Sequence, residues 1–147
     1  MGKAEASAWP AFLTAHTLVV EAIEARLAEA GLPELAWYDV LWALERAPSG
    51  RLRMHELAAA TVISRSNMTR LIDRLEAAGL VTRVRECDDR RGAYAALTPA
   101  GRVMRRKMWQ VYGRAIEEMF DRHLTREEST AMRAMLLRIV DGARASN

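Results

Sequence analysis

Between Ser64 and Ala78 the chain gathers the side chains best suited to reading a polyanion. Arg65, Ser66, Asn67, Thr69, Arg70 and Arg74 alternate there with Met68, Leu71, Ile72 and Leu75. The four apolar residues fall at i, i+3, i+4 and i+7, one stripe of a helix, and the polar ones take the other side. Arginine can bond guanine bidentately, while Ser, Thr and Asn reach base edges or phosphates. Ser64 is placed to cap the helix, its hydroxyl accepting from a free first-turn N–H. Gly79 stands where a left-handed residue ends one, with Leu80 packing back. An ordinary solvated face would show the same composition, so the neighbouring segments have to decide.

Upstream, His55–Ala60 reads as a short helix and Thr61-Val62-Ile63 as a bend. Downstream, Val81–Cys87 reads as a strand with imperfect alternation. Asp88-Asp89-Arg90-Arg91-Gly92 is a polar turn, and Ala93–Leu97 a return strand weakened by its alanines. Two helices at a tight bend followed by a hairpin with a basic tip describe a winged helix-turn-helix. In such a unit the second helix enters the DNA major groove, and a basic tip beside it can reach phosphates or a narrow minor groove. Arg51-Leu52-Arg53 is a candidate third strand of the wing sheet.

The segments Glu56-Leu57-Ala58, Ser64-Arg65-Ser66, Thr69-Arg70-Leu71, Asp73-Arg74-Leu75-Glu76, Gly79-Leu80-Val81, Asp89-Arg90-Arg91 and Leu97-Thr98-Pro99-Ala100-Gly101 resemble, in order and spacing, the MarR family of bacterial transcriptional regulators. The likeness extends across nearly the whole chain. It implies a mainly α fold: a winged helix-turn-helix of about six helices plus a small β-hairpin wing, dimerising through its N- and C-terminal helices. It also implies a homodimer on a pseudo-palindromic double-stranded DNA operator, more often a repressor, and often released by a small aromatic or phenolic ligand.

The expected DNA contacts are Arg65, Ser66, Asn67, Thr69 and Arg70 on the reading helix, with Ser64 as its cap and Arg74 toward phosphate. In the wing, Asp89 and Arg91 match the family's Asp-x-Arg motif. The resemblance implies that the arginine enters the minor groove while the aspartate holds it; Arg90 is a further phosphate candidate. Where relatives often carry a second such motif, this chain reads Glu86-Cys87-Asp88, so the tip is expected to differ in detail. The family's effector pocket lies where the dimerisation helices meet the DNA-binding unit. By position His16, Trp37, Tyr38, Leu41, Met108 and Trp109 would line it, suiting a planar organic anion, although core packing accounts for each of them as well.

Other chemistries find little support. His16, His55 and His123 are far apart with no second ligand at metal spacing, so no metal site or cofactor is expected. No Cys–His or Ser–base pair, Gly-rich phosphate loop or paired carboxylate points to an enzyme. Cys87 has arginines nearby, but the adjacent Glu86, Asp88 and Asp89 oppose a lowered thiol pKa, and an inert thiol is expected.

At 147 residues, 50% apolar and 28% charged, the chain has the make-up of one soluble globular domain. No apolar run approaches the roughly 20 residues of a membrane span. With no signal-peptide layout and one cysteine, a cytoplasmic protein is expected. Residues 51–107 carry 13 Lys/Arg against 6 Asp/Glu, and the remainder 9 against 13. A basic middle between acidic flanks suits a polyanion-binding surface.

The expected organisation is a DNA-binding unit at 33–97 with dimerisation helices at 1–32 and 98–147. Helices are read at Pro10–Ala30, from Pro33 in a first turn to Ala47, from Thr98-Pro99 to Arg122, and from a Thr125/Glu128 capping box onward. Long helices with strong apolar stripes cannot bury both sides in a slim monomer, which argues for a dimer. The reading from another class is a helical protein–protein interaction regulator without specific DNA binding.

Overall fold

The computed structural model describes residues 6–85 and 93–146. In chain order the elements are α1 (Trp9–Glu29), α2 (Leu35–Arg46), β1 (Arg51–Arg53), α3 (Met54–Ala60), α4 (Arg65–Ala77), β2 (Val81–Val84), β3 (Tyr94–Leu97), α5 (Pro99–Met119), a 3-10 turn (Asp121–His123) and α6 (Arg126–Ala145). Among the described residues no helix is long and apolar enough to cross a membrane. The chain divides into two compact units. One holds residues 23–112, and the other the two ends, up to Ala22 and from Gly113.

The unit of residues 23–112 is built around one apolar cluster. Val40, Leu41 and Leu44 of α2 meet Leu57 of α3, the Met68-Leu71-Ile72-Leu75 stripe of α4, and Leu80, Val81 and Ala95 below the sheet. Each large side chain so buried contributes on the order of 1.5–3 kcal/mol, which holds α4 by its back and leaves its polar side outward. The start of α2 corrects the expectation that Pro33 occupies the first helical turn. The helix begins at Leu35, after an extended Glu34, because the Leu35 N–H donates to Glu24 Oε1 of α1 at 2.6 Å. A side chain from another helix does the capping, and Pro33 belongs to the connection.

Arg51–Arg53 does form the third strand, giving a sheet of order β1-β3-β2. Leu52 pairs with Ala95 and Arg53 with Tyr94; Val81 pairs with Leu97, Arg83 with Ala95 and Val84 with Tyr94. Since paired residues share a face, Leu52, Val81, Arg83, Ala95 and Leu97 point inward, and Arg51, Arg53, Thr82, Val84, Tyr94 and Ala96 outward. β2 ends at Val84, short of the Cys87 expected. The joining segment 86–92, with Cys87, Asp89, Arg90 and Arg91, lies outside the described residues.

Helix α4 ends in a paired backbone motif: Leu80 N–H donates to Leu75 O and Gly79 N–H to Glu76 O, both at 3.0 Å. Gly79 holds φ +77°, a conformation that costs other L-residues energy. Thr98 fastens this corner to α5. Its hydroxyl donates to Gly79 O at 2.8 Å and accepts from Gly101 N–H at 3.0 Å. A Cβ on Gly101 would collide with the Leu80 backbone, so the Gly79-Leu80 and Leu97–Gly101 segments answer one packing requirement.

In the other unit, α5 ends at Met119 and not at Arg122. Phe120 leaves helical geometry (φ −125°, ψ −67°), and Asp121–His123 tightens into a 3-10 turn before an extended Leu124. The chain must leave one helix axis and enter another here, and the shorter hydrogen-bonded turn does it. Helix α6 opens on a reciprocal cap, Glu128 N–H to Thr125 Oγ1 at 3.1 Å and Thr125 N–H to Glu128 Oε1 at 2.8 Å. Not one residue of α6 is buried.

Candidate nucleic-acid interface

The outer surface of α4 follows from how the helix is held. Its stripe Met68, Leu71, Ile72 and Leu75 is 5% exposed or less, whereas Ser64, Arg65, Ser66, Asn67, Thr69, Arg70, Asp73 and Arg74 are all exposed. Ser64 caps the helix as expected, its side chain accepting from Asn67 N–H at 3.4 Å. Ser66 Oγ lies 3.4 Å from Ser64 Oγ, and the Thr69 hydroxyl donates to Arg65 O at 3.3 Å, which leaves its oxygen able to accept. No acidic residue stands in the first turn, so the positive end of the helix dipole and Arg65 act together on any anion placed there.

Charge pairing sorts the arginines. Among the described residues, Arg65 and Arg70 meet no carboxylate, and both side chains are exposed. Arg74 reaches Glu34 Oε1 at 3.8 Å with most of its side chain in solvent. Asp73 is held by Arg83 of β2 at 2.6 Å, not by an arginine of its own helix. Arg83 also bonds Glu76, Nη1 to Oε1 at 3.0 Å and backbone N–H to Oε2 at 3.1 Å. Burial works against its charge, but the carboxylates of Asp73 and then Glu76 outweigh that and hold its pKa above the ordinary guanidinium value. Arg83 therefore ties the wing to the reading helix. Sequence reasoning missed it, though a signal was present: it shares inward parity with Val81, where an unpartnered arginine would be costly.

The expected ligand-lining residues separate. Leu41 and Met108 are fully buried, and Leu41 belongs to the central cluster, which Trp37 packs against while partly buried. Tyr38 and Trp109 do come together, stacked at 5.9 Å. Tyr112, absent from the expected set, completes a three-ring group, edge-on to Tyr38 at 5.0 Å and to Trp109 at 5.7 Å. Its spacing three residues after Trp109 on one helix could have signalled it. Burial raises the Tyr38 pKa, opposed by a hydrogen bond from Arg105. His16 lies in the other unit, 6.2 Å from Phe12.

A short helix, a bend, a capped helix with a basic outer face and a three-stranded wing define a winged helix-turn-helix protein. Known proteins narrow the class. A MarR family profile matches residues 30–92. AbsC, a MarR family transcriptional regulator from Streptomyces coelicolor, is 31% identical with a TM-score of 0.88, over 99% of this chain and 97% of that one. A second Streptomyces coelicolor regulator of the family, solved in complex with DNA, is 28% identical with a TM-score of 0.88, over 97% and 93%. FarR, an HTH-type transcriptional regulator of Neisseria gonorrhoeae, is 34% identical over 85 residues, and the match spans 56% of each chain, just over half the length of that curated relative. The chain belongs to the MarR family of transcriptional regulators.

Proposed function

We propose that this protein is a homodimeric regulator, acting as a repressor, that binds a palindromic double-stranded operator by placing α4 of each subunit in successive major grooves. The observation that carries the reading is the outer face of α4, where Arg65, Ser66, Asn67, Thr69 and Arg70 are exposed at the N-terminal end of a helix whose back is locked in the core. A 13-residue helix is about 20 Å long and about 10–12 Å across, matching the major groove. Arg74 and the wing residues Asp89, Arg90 and Arg91 extend the contact to phosphates and the minor groove.

Dimerisation is supported by apolar side chains that the single chain leaves in water. On α1 Trp9 is 61% and Leu18 60% exposed, and on α6 Ile139 is 65% exposed, with Met135, Leu137 and Val140 beside it. A soluble monomer rarely carries so much apolar surface on two helices. Two-fold symmetry then spaces the reading helices by about one DNA turn, roughly 34–36 Å. The Tyr38–Trp109–Tyr112 group supports a flat aromatic effector that weakens operator binding by favouring a different helix spacing. No catalytic step belongs to this reading.

Selection of bound sequences from random duplex DNA tests it. A palindromic motif bound by the dimer, with affinity falling log-linearly in salt, is the expected result. Absence of preference among duplexes overturns it.

A further inference from the structure

Helix α1 carries an apolar row that changes surroundings along its length. Trp9, Phe12, His16, Val20, Ile23 and Leu27 recur every three or four residues and so share one side of the helix. At the C-terminal end of the row Ile23 and Leu27 are buried, whereas Trp9, Phe12 and His16 are exposed, as is Leu13 beside them. The rings follow one another along the helix, Trp9 to Phe12 at 6.0 Å and Phe12 to His16 at 6.2 Å. His16 is the one ionisable side chain of the row, at a position where the pattern calls for an apolar residue.

Nothing charged answers His16 within the chain. Apart from its ring contact with Phe12, it makes no hydrogen bond or ion pair among the described residues. Along α1 the nearest charge is Glu21, five positions on and off the row. In the same unit, α5 and the turn after it carry Arg114, Glu117, Glu118, Asp121, Arg122 and His123, none of them bonded to His16. Helix α6, without a buried residue, presents an uncharged row of its own in Met132, Met135, Leu136 and Ile139, with Arg133, Arg138 and Asp141 to its sides and rear. Glu128 heads that row, but its carboxylate is engaged by the Thr125 N–H. Two apolar rows left in water on one unit suit a two-fold interface, since each copy offers both to the other.

We propose that a second copy of the chain covers His16 together with Trp9, Phe12 and Leu13, so that the dimer closes on neutral imidazoles and loosens when acid charges them. The inference rests on the homodimer proposed above and adds a proton-operated release to it. Imidazole is the side chain whose charge ordinarily changes between about pH 5 and 8. An apolar covering penalises its charged form, so the dimer excludes protons that each free subunit binds. By linkage, dimer stability is full above the titration of the free imidazole and is lost below it. Operator binding needs both α4 helices, so acidification empties the operator without any organic effector.

The test is the dimer dissociation constant, read by analytical ultracentrifugation, for wild type, H16Q, H16F and H123Q. Exclusion of one proton per subunit raises it about a hundredfold between about pH 7.5 and about pH 5.5, and a rise of at least about tenfold is expected of wild type. H123Q is expected to match wild type, and H16Q and H16F to lose the rise. Asp39, with its carboxyl pushed up to about 6, is common to all four proteins, so the difference belongs to His16. Circular dichroism reports whether each variant is folded, and where H16Q is not, H16F decides. A wild-type constant equal at both pH values overturns the proposal while the dimer stands. So does a rise retained in the folded His16 variants, or one lost in H123Q. A wild-type chain that is monomeric at the higher pH overturns both readings.

Discussion

Arg83 Nη2 lies 2.6 Å from Asp73 Oδ1, linking the inward face of β2 to the exposed side of the reading helix. With Glu76 as a second partner at 3.0 Å, one guanidinium spans two carboxylates a helical turn apart. The pair is only partly shielded, so each contact is worth on the order of 0.2–1 kcal/mol in stability. Its larger consequence is geometric. Arg83→Gln should lower the melting midpoint by only a few degrees yet weaken operator binding about tenfold, roughly 1.4 kcal/mol. Binding unchanged in the folded variant would mean that the wing keeps its place without this clamp.

Arg70 is exposed on α4 beyond the reach of any described carboxylate, so its removal should cost the fold little and bears directly on the proposed contact to DNA. Arg70→Ala should reduce operator affinity by about 1–3 kcal/mol and relax preference at one base position, with the dimer intact. A gel-shift midpoint equal to wild type would remove Arg70 from the reading surface.

Asp39 sits where α2 faces α1, and burial first, then the charge of Glu24, pushes its carboxyl up to about 6. A carboxyl whose folded pKa exceeds its unfolded value binds its proton more tightly when folded. Its ionisation therefore destabilises the fold as pH rises from about 4 to about 6, and the cost persists above. Asp39→Asn should stabilise the protein at pH 8 by about 1–2 kcal/mol, after allowance for its part exposure. The gain should vanish near pH 4, as read by urea denaturation at both values. An equal gain at both would assign the effect to packing and not to charge.

Ile139 exposes 65% of its surface in the single chain, so a polar replacement costs the isolated subunit little. In a dimer that buries it, a carboxylate there is costly. Ile139→Asp should shift the mass measured by light scattering toward a monomer and reduce operator affinity at least tenfold. A dimer of undiminished stability would place the interface elsewhere.

How far the chain was legible before folding varies with the range of the interaction involved. The α4 stripe, the Ser64 cap, the Gly79 terminator and the Thr125/Glu128 box rest on contacts within a few residues, and all took the form their spacing implies. The start of α2 did not, because the group capping Leu35 belongs to Glu24, eleven residues back on another helix. The alternation of β2 looked imperfect for a similar reason: Arg83 takes an inward position that suits an arginine only because Asp73 and Glu76 meet it there. Ala95, a weak strand former, is held in β3 by its pairing on both sides and by full burial against the core beneath the sheet.

Pattern and propensity along the chain were thus enough to place the helices, the strands β2 and β3 and the outer face of α4 to within a few residues, since each depends on periodicities of two to four residues; the family likeness rested instead on the order and spacing of particular motifs. Which arginines are free and which are spent was decided by the tertiary structure. Arg65 and Arg70 meet no described carboxylate, Arg83 clamps Asp73 and Glu76, and Arg51 and Arg53 both stack on Tyr94. The physical reason is that a side chain's charge is set by its own identity, whereas its partner comes from whatever element the core packs beside it.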